Sequence, residues 1–333
     1  MTDMTPYRKL AADIGCGDSD IMPKIFAMIA SQDEAKLMLA ASPPATVEEI
    51  SEKSGLPLDR VEEMIEPLFL KGLIFKSKKP DAIRYYKVRH LGQFHDATVL
   101  TPGVSEDYLD LWVEFETTEE VALREELRGS EIPRGMRVVP VNVSIESQSQ
   151  IAAPDDVTKI IEDAEKIAVT NCSCRVIHRI SDVPLEVCLQ INKAASYALE
   201  RGTGRELSKK EALELLRICE KEGLVHCVDN RFEVKHAICN CDAVACTNWR
   251  PDPEFARTFV APSRFAAEVV AGACTSCDVC VDRCFFNAIS LGGPDETAVI
   301  DRDRCVGCGL CTTACPDDAI ILEEVRPESS IPA

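Results

Sequence analysis

The chain has 333 residues, of which 46% are hydrophobic and 28% are charged, and this composition is typical of a globular protein and not of a disordered one. Its length allows two or three domains, each with its own core. The formal net charge of −19 disfavours nucleic acid and anionic membranes as general partners, and it suits docking onto a basic patch of another protein.

The opening segment MTDMTPYRKLAADIG has no apolar stretch, and no run approaches the roughly 18 apolar residues of a membrane-spanning helix. We therefore expect a cytoplasmic protein without a membrane span. Seventeen cysteines in such a protein indicate metal or redox chemistry and not structural disulfides. Cys16 stands alone near the start, eight cysteines lie between Cys172 and Cys246, and eight lie between Cys274 and Cys315.

Residues 1–92 show a helical pattern followed by a hairpin pattern. Thr46 and Glu49 have the spacing of a capping box, Gly55 provides a turn, and a further helix follows. The segment LIFKSKKPDAIRYYKV predicts two strands around a polar tip. The apolar positions that we expect in the core are Ile50, Val61, Ile65, Leu68 and Leu73. This order of elements resembles a winged helix-turn-helix domain over about residues 20–92.

The helix that would read DNA in such a domain is acidic. Its sequence LDRVEEMIEPLF has four carboxylates against one arginine, and the basic residues lie in the hairpin. Base reading uses Arg, Lys, Asn or Gln, and carboxylates repel phosphate. DNA is therefore not the partner that we expect, and a protein-docking module is favoured.

Residues 93–150 form a connecting region in which an acidic helix and a strand are predicted. The acidic run from Glu114 to Glu126 is interpreted as a solvated face. No chemical motif occurs in this region.

Residues 151–260 form a cysteine-rich α/β domain. Cys188 is expected on a helix, and Cys219 and Cys227 are expected to be buried as small apolar side chains. The other thiols are candidates for one site, because a C-x-C pair places both sulfurs on one side of an extended chain. The candidate ligands, of which four are expected to bind, are Cys172, Cys174, Cys188, Cys239, Cys241 and Cys246.

We expect a third [4Fe–4S] cluster at this middle site, with zinc or no metal as alternatives, since thiolates satisfy both kinds of centre. His178 and His236 flank the two C-x-C segments. A surface imidazole or an imidazole behind the ligands is favoured for each, with a ligand or a proton donor as the alternative.

Residues 261–333 contain an internal repeat: CTSCDVCVDRC recurs as CVGCGLCTTACP, with every cysteine displaced by the same interval. The C-x2-C-x2-C-x3-C spacing gives three ligands to one cubane cluster and the fourth to the other. The first set is therefore Cys274, Cys277, Cys280 and Cys315, and the second set is Cys305, Cys308, Cys311 and Cys284. Zinc ribbons need two separated pairs of ligands, which is a different pattern. Residues 265–325 resemble a bacterial-type ferredoxin with two [4Fe–4S] clusters, although Phe285 stands where that family prefers proline.

Most of the chain also resembles a family of anaerobe ferredoxin-like iron–sulfur proteins. The matching segments are Cys172-Ser-Cys174-Arg175, the downstream Cys188, Gly223-Leu-Val-His226 and Ile238-Cys-Asn-Cys241. The chain departs from that family at Asp242, where a further cysteine is usual, and at Ala245. The resemblance implies electron transfer and a winged-helix-like N-terminal domain.

The predicted fold class is α+β multidomain, with a winged helix-turn-helix, a cysteine-rich α/β domain and a ferredoxin-like domain. The predicted function is electron transfer to or from a larger redox enzyme or an electron-carrier protein. No G-x-G-x-x-G or P-loop motif indicates a nucleotide site of its own. Two alternatives are a redox- or oxygen-sensing transcription regulator and a catalytic protein with an open iron at the middle site.

Overall fold

The computed structural model describes residues 2–127, 134–141, 155–180, 182–249 and 259–333. They form two compact units. The helical unit comprises Met1–Leu123, Val176–Arg179 and Glu200–Thr203, and the sheet unit comprises Arg124–Arg175, Ile180–Leu199 and Gly204–Ala333. The finer division at residues 92, 150 and 260 stays a prediction. None of the described helices is long and apolar enough to cross a membrane.

The N-terminal part of the chain is mainly helical. Its elements are α1 (Thr5–Asp13), α2 (Met22–Ile29), α3 (Gln32–Ala40), α4 (Val47–Ser54), α5 (Leu58–Leu70), β1 (Ile74–Lys78), β2 (Ile83–Lys87), α6 (Leu91–Val99), α7 (Glu106–Thr117) and α8 (Glu119–Glu126). Aromatic rings fill the core: Phe26 stacks on Phe94 with centroids 4.1 Å apart, and Phe94 lies 5.5 Å from Trp112. Such contacts add to the stability that burial of the rings provides.

The predicted helix, turn, helix and hairpin occur in the order expected. Thr46 and Glu49 form a capping box at the start of α4, and Gly55 ends α4 in the left-handed region at φ 71°. Strands β1 and β2 pair antiparallel, with Ile74 opposite Lys87. The five predicted core positions are all buried. The assignment of these elements to the winged-helix family stays a prediction.

The acidic run in α7 and α8 is not a uniformly solvated face, so that interpretation is wrong in part. Glu116 and Glu120 are buried. The Oε2 atom of Glu116 lies 2.6 Å from His178 Nε2, and its Oε1 atom lies 3.2 Å from His95 Nε2. A buried carboxylate needs such partners, and only the fold supplies them.

The sheet unit is built on a mixed sheet. The elements in this part of the chain, of which α10 and α11 end in residues of the helical unit, are β3 (Met136–Val138), α9 (Val157–Asp163), β4 (Ile167–Asn171), α10 (Ser173–His178), β5 (Glu186–Ile191), α11 (Asn192–Arg201), β6 (Gly204–Glu206), α12 (Lys209–Lys221), β7 (Val225–Asp229), β8 (Ala237–Cys241) and β9 (Val260–Ala261). The strand order is β6-β4-β5-β8-β7-β3-β9, and among the described strands the β3–β9 pair is parallel while the others are antiparallel. Residues 142–145, which belong to the predicted strand GMRVVPVNVSI, lie outside the described residues.

The C-terminal repeat folds as two interleaved halves. Its elements are β10 (Phe265–Val269), α13 (Val279–Arg283), β11 (Ile289–Leu291), β12 (Ala298–Ile300), α14 (Leu310–Ala314) and β13 (Ile320–Glu324). Each half has the order strand, helix, strand. Strand β10 of the first half pairs with β13 of the second, and β11 pairs with β12. The duplication seen in the sequence is therefore also a duplication of structure.

Candidate metal centres

Two cavities in the C-terminal repeat are each lined by four cysteines. One cavity is lined by the whole first set, and the other is lined by the whole second set. The interleaved strands account for this grouping, because they place the cysteine that follows each short helix beside the loop of the other half. The structure thus brings together the residues that the spacing groups.

Backbone N–H groups point at several of these sulfurs. Ala267 N–H donates to Cys305 Sγ at 3.4 Å, and its counterpart Ala298 N–H donates to Cys274 Sγ at 3.5 Å. Ala319 N–H donates to Cys315 Sγ at 3.3 Å. Hydrogen bonds to sulfur stabilise the thiolate form and raise the reduction potential of a bound cluster relative to a site without them.

Gly307 allows the loop of the second set to approach β10 closely. Its φ of 68° lies in the left-handed region, and a Cβ atom there would collide with the Phe265 carbonyl oxygen and with Ser263 Oγ. Ser263 Oγ donates to the Gly307 carbonyl at 2.8 Å, which fixes the loop. A side chain at this position would displace the backbone that carries Cys305 and Cys308.

The donor sets fit [4Fe–4S] clusters, which take four thiolates each. Burial raises the pKa of Cys308 to about 12, and burial also raises the pKa values of Cys280, Cys284 and Cys311, with the neighbouring thiols adding to the effect. Adjacent buried thiols are costly to ionise by themselves. A bound metal group supplies the positive charge that makes thiolates favourable.

Six cysteines of the middle region meet in a closed ring. The order around the six-cysteine ring is Cys172, Cys174, Cys246, Cys241, Cys239 and Cys188, with each thiol in contact with the next and Cys188 in contact with Cys172. These are the six candidates from the sequence. The structure therefore brings the two distant C-x-C segments to one place.

Two local expectations about the ring are wrong. Cys188 lies on strand β5 and not on a helix, because Val187, Leu189 and Ile191 alternate inward with the period of a strand. Cys172 and Cys174 do not share an extended strand, since β4 ends at Asn171 and α10 begins at Ser173. Their sulfurs converge across this strand-to-helix junction.

Asp242 does not take the place of a missing cysteine ligand. Its Oδ1 atom accepts the backbone N–H groups of Val244 and Ala245, at 2.8 and 2.6 Å, and its Oδ2 atom accepts Arg175 Nε at 2.7 Å. Burial raises the pKa of Asp242, but the Ala245 N–H and Arg175 outweigh burial, and the net shift is downward. Asp242 thus shapes the turn that delivers Cys246.

Arg175 is a functional candidate for which the sequence pattern predicts no role. Its side chain is fully buried and donates to the carbonyl oxygens of Pro184 and Asn240, at 2.6 and 2.9 Å. Burial by itself lowers the pKa of Arg175. The neighbouring Cys172 and Asp242 raise this pKa by more than burial lowers it, so the guanidinium stays charged. A fixed positive charge beside the ring favours thiolates and the reduced form of a metal group. In the sequence, a charged residue between Cys174 and the apolar pair Val176-Ile177 is the feature that indicates a buried arginine here.

A buried polar chain holds the strands behind the ring. His226 Nδ1 lies 2.6 Å from Asn240 Oδ1, and Asn240 Nδ2 donates to the Val187 carbonyl at 2.6 Å. These bonds join β7, β8 and β5, whose residues include three ring cysteines. The hydrogen bonds fix strand register at the site, since each buried polar atom has a defined partner.

The remaining thiols and histidines lie around these centres. Cys219 and Cys227 are fully buried, as predicted, and Cys227 also contacts Cys241. His236 Nδ1 lies 3.0 Å from Asp229 Oδ2, and His178 binds Glu116. Across the residues that the structure describes, no group of three or more His, Cys, Asp or Glu side chains has the arrangement that would hold a single metal ion. The fit of a metal group therefore rests on the donor chemistry and the cavities.

Comparison with known proteins places one part of the chain in a family. Residues 273–319 match the family model of the 4Fe-4S dicluster domain. A ferredoxin of Alicyclobacillus acidocaldarius is 45% identical over 49 residues, which are 15% of this chain and 60% of that protein. An uncharacterized ferredoxin of Methanocaldococcus jannaschii is 36% identical over 52 residues, or 15% of this chain and 33% of its own length.

An archaeal-type glutamate synthase [NADPH] of Dehalococcoides mccartyi is 32% identical over 66 residues, which are 20% of this chain and 13% of that enzyme. The chain thus spans less than two thirds of the length of each of these relatives. No solved structure matches it. The C-terminal region of the chain is a ferredoxin-like 4Fe-4S dicluster domain.

Proposed function

We propose that this protein carries two [4Fe–4S] clusters in its C-terminal domain and relays single electrons to or from a partner redox enzyme. The observation that carries the proposal is the pair of cavities, each lined by four cysteines in the crossed grouping. The ferredoxin-like domain supports electron transfer in general, and its similarity to a glutamate synthase supports a redox enzyme as the partner.

Each cluster supplies one-electron redox chemistry when it is bound. The residues of the chain hold it and set its surroundings. The first and second sets provide the thiolates, and the N–H groups of Ala267, Ala298 and Ala319 stabilise their negative charge. No cysteine of the second set is exposed, while the exposed Cys277 opens the first set to a partner.

We further propose that the six-cysteine ring holds a third iron–sulfur cluster. The ring offers more thiols than the four that a cubane takes, and the buried guanidinium of Arg175 compensates part of their charge. Zinc is the alternative occupant, and it differs from a cluster in having no redox change.

Iron and acid-labile sulfide per chain test both proposals. Protein purified without oxygen is expected to contain about twelve irons if all three centres are loaded, and about eight if only the dicluster domain is loaded. Cys308→Ala is expected to lose about four irons. The matched control is Cys16→Ala, a buried cysteine of the helical unit, which should keep the full content. A wild-type chain with fewer than about four irons after reconstitution would sink the electron-transfer proposal.

A further inference from the structure

The first and second sets differ in exposure although they arise from a duplication. Cys277 of the first set is exposed, and it stands alone in this among the seventeen cysteines, all of which lie in the described part of the chain. Its neighbours Asp278 and Val279 are exposed as well. Cys280 of the first set is as buried as Cys305 and Cys311 of the second, but no cysteine of the second set is exposed. The two centres therefore have different access to an outside partner.

An aromatic group connects the six-cysteine ring to the second set. Trp249 is 1% exposed and donates its backbone N–H to the carbonyl of Cys246, a ring member, at 3.0 Å. Its indole lies 5.1 Å from the Phe286 ring and 6.2 Å from the Phe285 ring, between centroids. Both phenylalanines line the cavity of the second set and directly follow Cys284. Phe285, whose counterpart in the second half of the repeat is Pro316, is thus part of this junction.

Other contacts join the same two centres. Cys227 contacts Cys241 of the ring, and Cys227 and Cys308 belong to the same cluster of packed side chains. Arg283, which also lines the second cavity, donates to the carbonyl of Lys221 at 3.0 Å. Cysteines of the ring and of both sets belong to one buried cluster of side chains.

The loop around Cys277 of the first set makes its side-chain hydrogen bonds within the C-terminal repeat. In its cavity Thr275 Oγ1 donates to Asp317 at 2.6 Å, and Ser276 Oγ donates to the Asp295 carbonyl at 3.2 Å. Both partners are exposed residues of the C-terminal repeat. These hydrogen bonds hold the loop around Cys277 at the surface of the C-terminal repeat.

We propose that the three centres form one electron path of fixed order: the six-cysteine ring, then the second set, then the first set, whose Cys277 face is the port for an external one-electron carrier protein. The inference rests on the proposed function, with an iron–sulfur cluster in the ring. Each step moves one electron between neighbouring clusters, so that one is oxidised as the next is reduced, and no bond or proton changes place. The external carrier supplies or removes the electron at the port.

The order is tested first on the wild-type full chain, with clusters loaded and reduced stepwise. A soluble dysprosium chelate speeds the electron-spin relaxation of clusters near the surface. Cys277→Ser and Cys308→Ser variants identify which spectrum belongs to which set. We expect the chelate to speed relaxation most at the cluster of the first set and least at the cluster of the ring. A larger effect at the second set or at the ring than at the first set would overturn the order.

The junction is tested by substitution of Trp249. Trp249→Leu removes the aromatic contact and is expected to slow reduction of the ring several-fold after rapid mixing with a one-electron donor. Trp249→Phe keeps an aromatic ring and is expected to restore most of the rate. Iron content is measured in both variants, so that a lost cluster is recognised. If Trp249→Leu does not fold, the relaxation experiment on the wild-type chain still tests the order.

Two results separate this inference from the proposed function. A ring whose spectra stay unchanged while both ferredoxin clusters are reduced would overturn the path and leave ferredoxin electron transfer intact. Equal rates in wild type, Trp249→Leu and Trp249→Phe, at equal iron content, would likewise exclude the aromatic junction. Slower transfer in Trp249→Leu alone, together with strongest relaxation at the first set, would support the path.

Discussion

At the scale of single residues, the middle site depends on a buried pair of opposite charges. Arg175 is fully buried, and Asp242 binds it while also holding the turn before Cys246. Removing one member of such a pair leaves the other charge uncompensated in a medium of low polarity. The pair therefore couples the stability of the sheet unit to the geometry of the ring.

Asp242→Ala is expected to lower the free energy of unfolding by about 3 kcal/mol, because Arg175 loses its charge partner. Two backbone N–H groups lose their acceptor as well. Urea unfolding without oxygen measures the loss. Asp242→Asn keeps an acceptor oxygen, and its free energy of unfolding is expected to lie between those of wild type and Asp242→Ala. Unchanged stability in Asp242→Ala would contradict the role assigned to the pair.

The contact of His236 with Asp229 predicts a pH dependence. The Asp229 carboxylate raises the pKa of His236 above its ordinary value, although burial opposes the effect. A raised folded-state pKa stabilises the fold fully below the unfolded value of about 6.5, and this stability is lost as pH rises through the folded pKa. Unfolding measured from acid to mildly alkaline pH should show the loss in wild type. His236→Gln should lack this loss of stability. The same dependence of stability on pH in both proteins would show that the His236–Asp229 contact does not cause it.

At the scale of elements, the loop before α14 must approach strand β10. The left-handed backbone of Gly307 and its closeness to Phe265 leave no room for a side chain. The repeat gives this loop its cysteine spacing, whereas the close approach comes from packing of the two halves.

Gly307→Ala is expected to lose the cluster of the second set, because the backbone that carries Cys305 and Cys308 must shift. Iron should fall by about four per chain, and the visible absorbance should fall with it. Gly272→Ala is the matched control, since its Cβ would meet nothing within 4 Å. Full iron content in Gly307→Ala would show that the loop tolerates the shift.

The exposed face of α5 concerns the alternative function as a transcription regulator. Asp59, Glu62, Glu63 and Glu66 are all exposed on this helix. We expect no gel shift with the organism's own operator DNA even at about 50 mM salt, where phosphate contacts are strongest. Reversing the charges in Glu62→Lys/Glu63→Lys provides a positive control for nonspecific binding. A specific shift by the wild-type protein would favour the regulator.

At the scale of the whole molecule, each unit has its own core and its own tryptophan. Trp112 lies in the helical unit and Trp249 in the sheet unit, and both are buried. Sixteen of the seventeen cysteines lie in the sheet unit, since Cys16 is the exception. Metal groups that bind only the folded sheet unit would stabilise that unit.

Removal of iron by a chelator is therefore expected to lower the unfolding midpoint reported by Trp249 and to leave that of Trp112 nearly unchanged. Trp249→Phe and Trp112→Phe isolate the fluorescence of each reporter. A common shift of both midpoints would show that the units unfold together.

The sequence alone determined the chemistry of the C-terminal domain. Eight cysteines in a duplicated spacing leave few arrangements, because ligand geometry is local and the repeat imposes the crossing. The capping box at Thr46 was predictable for the same reason, since it lies within one helical turn. Burial of Cys219 and Cys227 followed from their apolar surroundings.

Only the tertiary structure decided how distant residues meet. The closure of six thiols into a ring depends on the strand order β4-β5-β8, and Cys188 joins it because β5 is a strand. The Arg175–Asp242 pair and the contact of Trp249 with Phe286 likewise join residues far apart in the chain. Local patterns carry no record of such pairings, which packing of the two regions into one core determines.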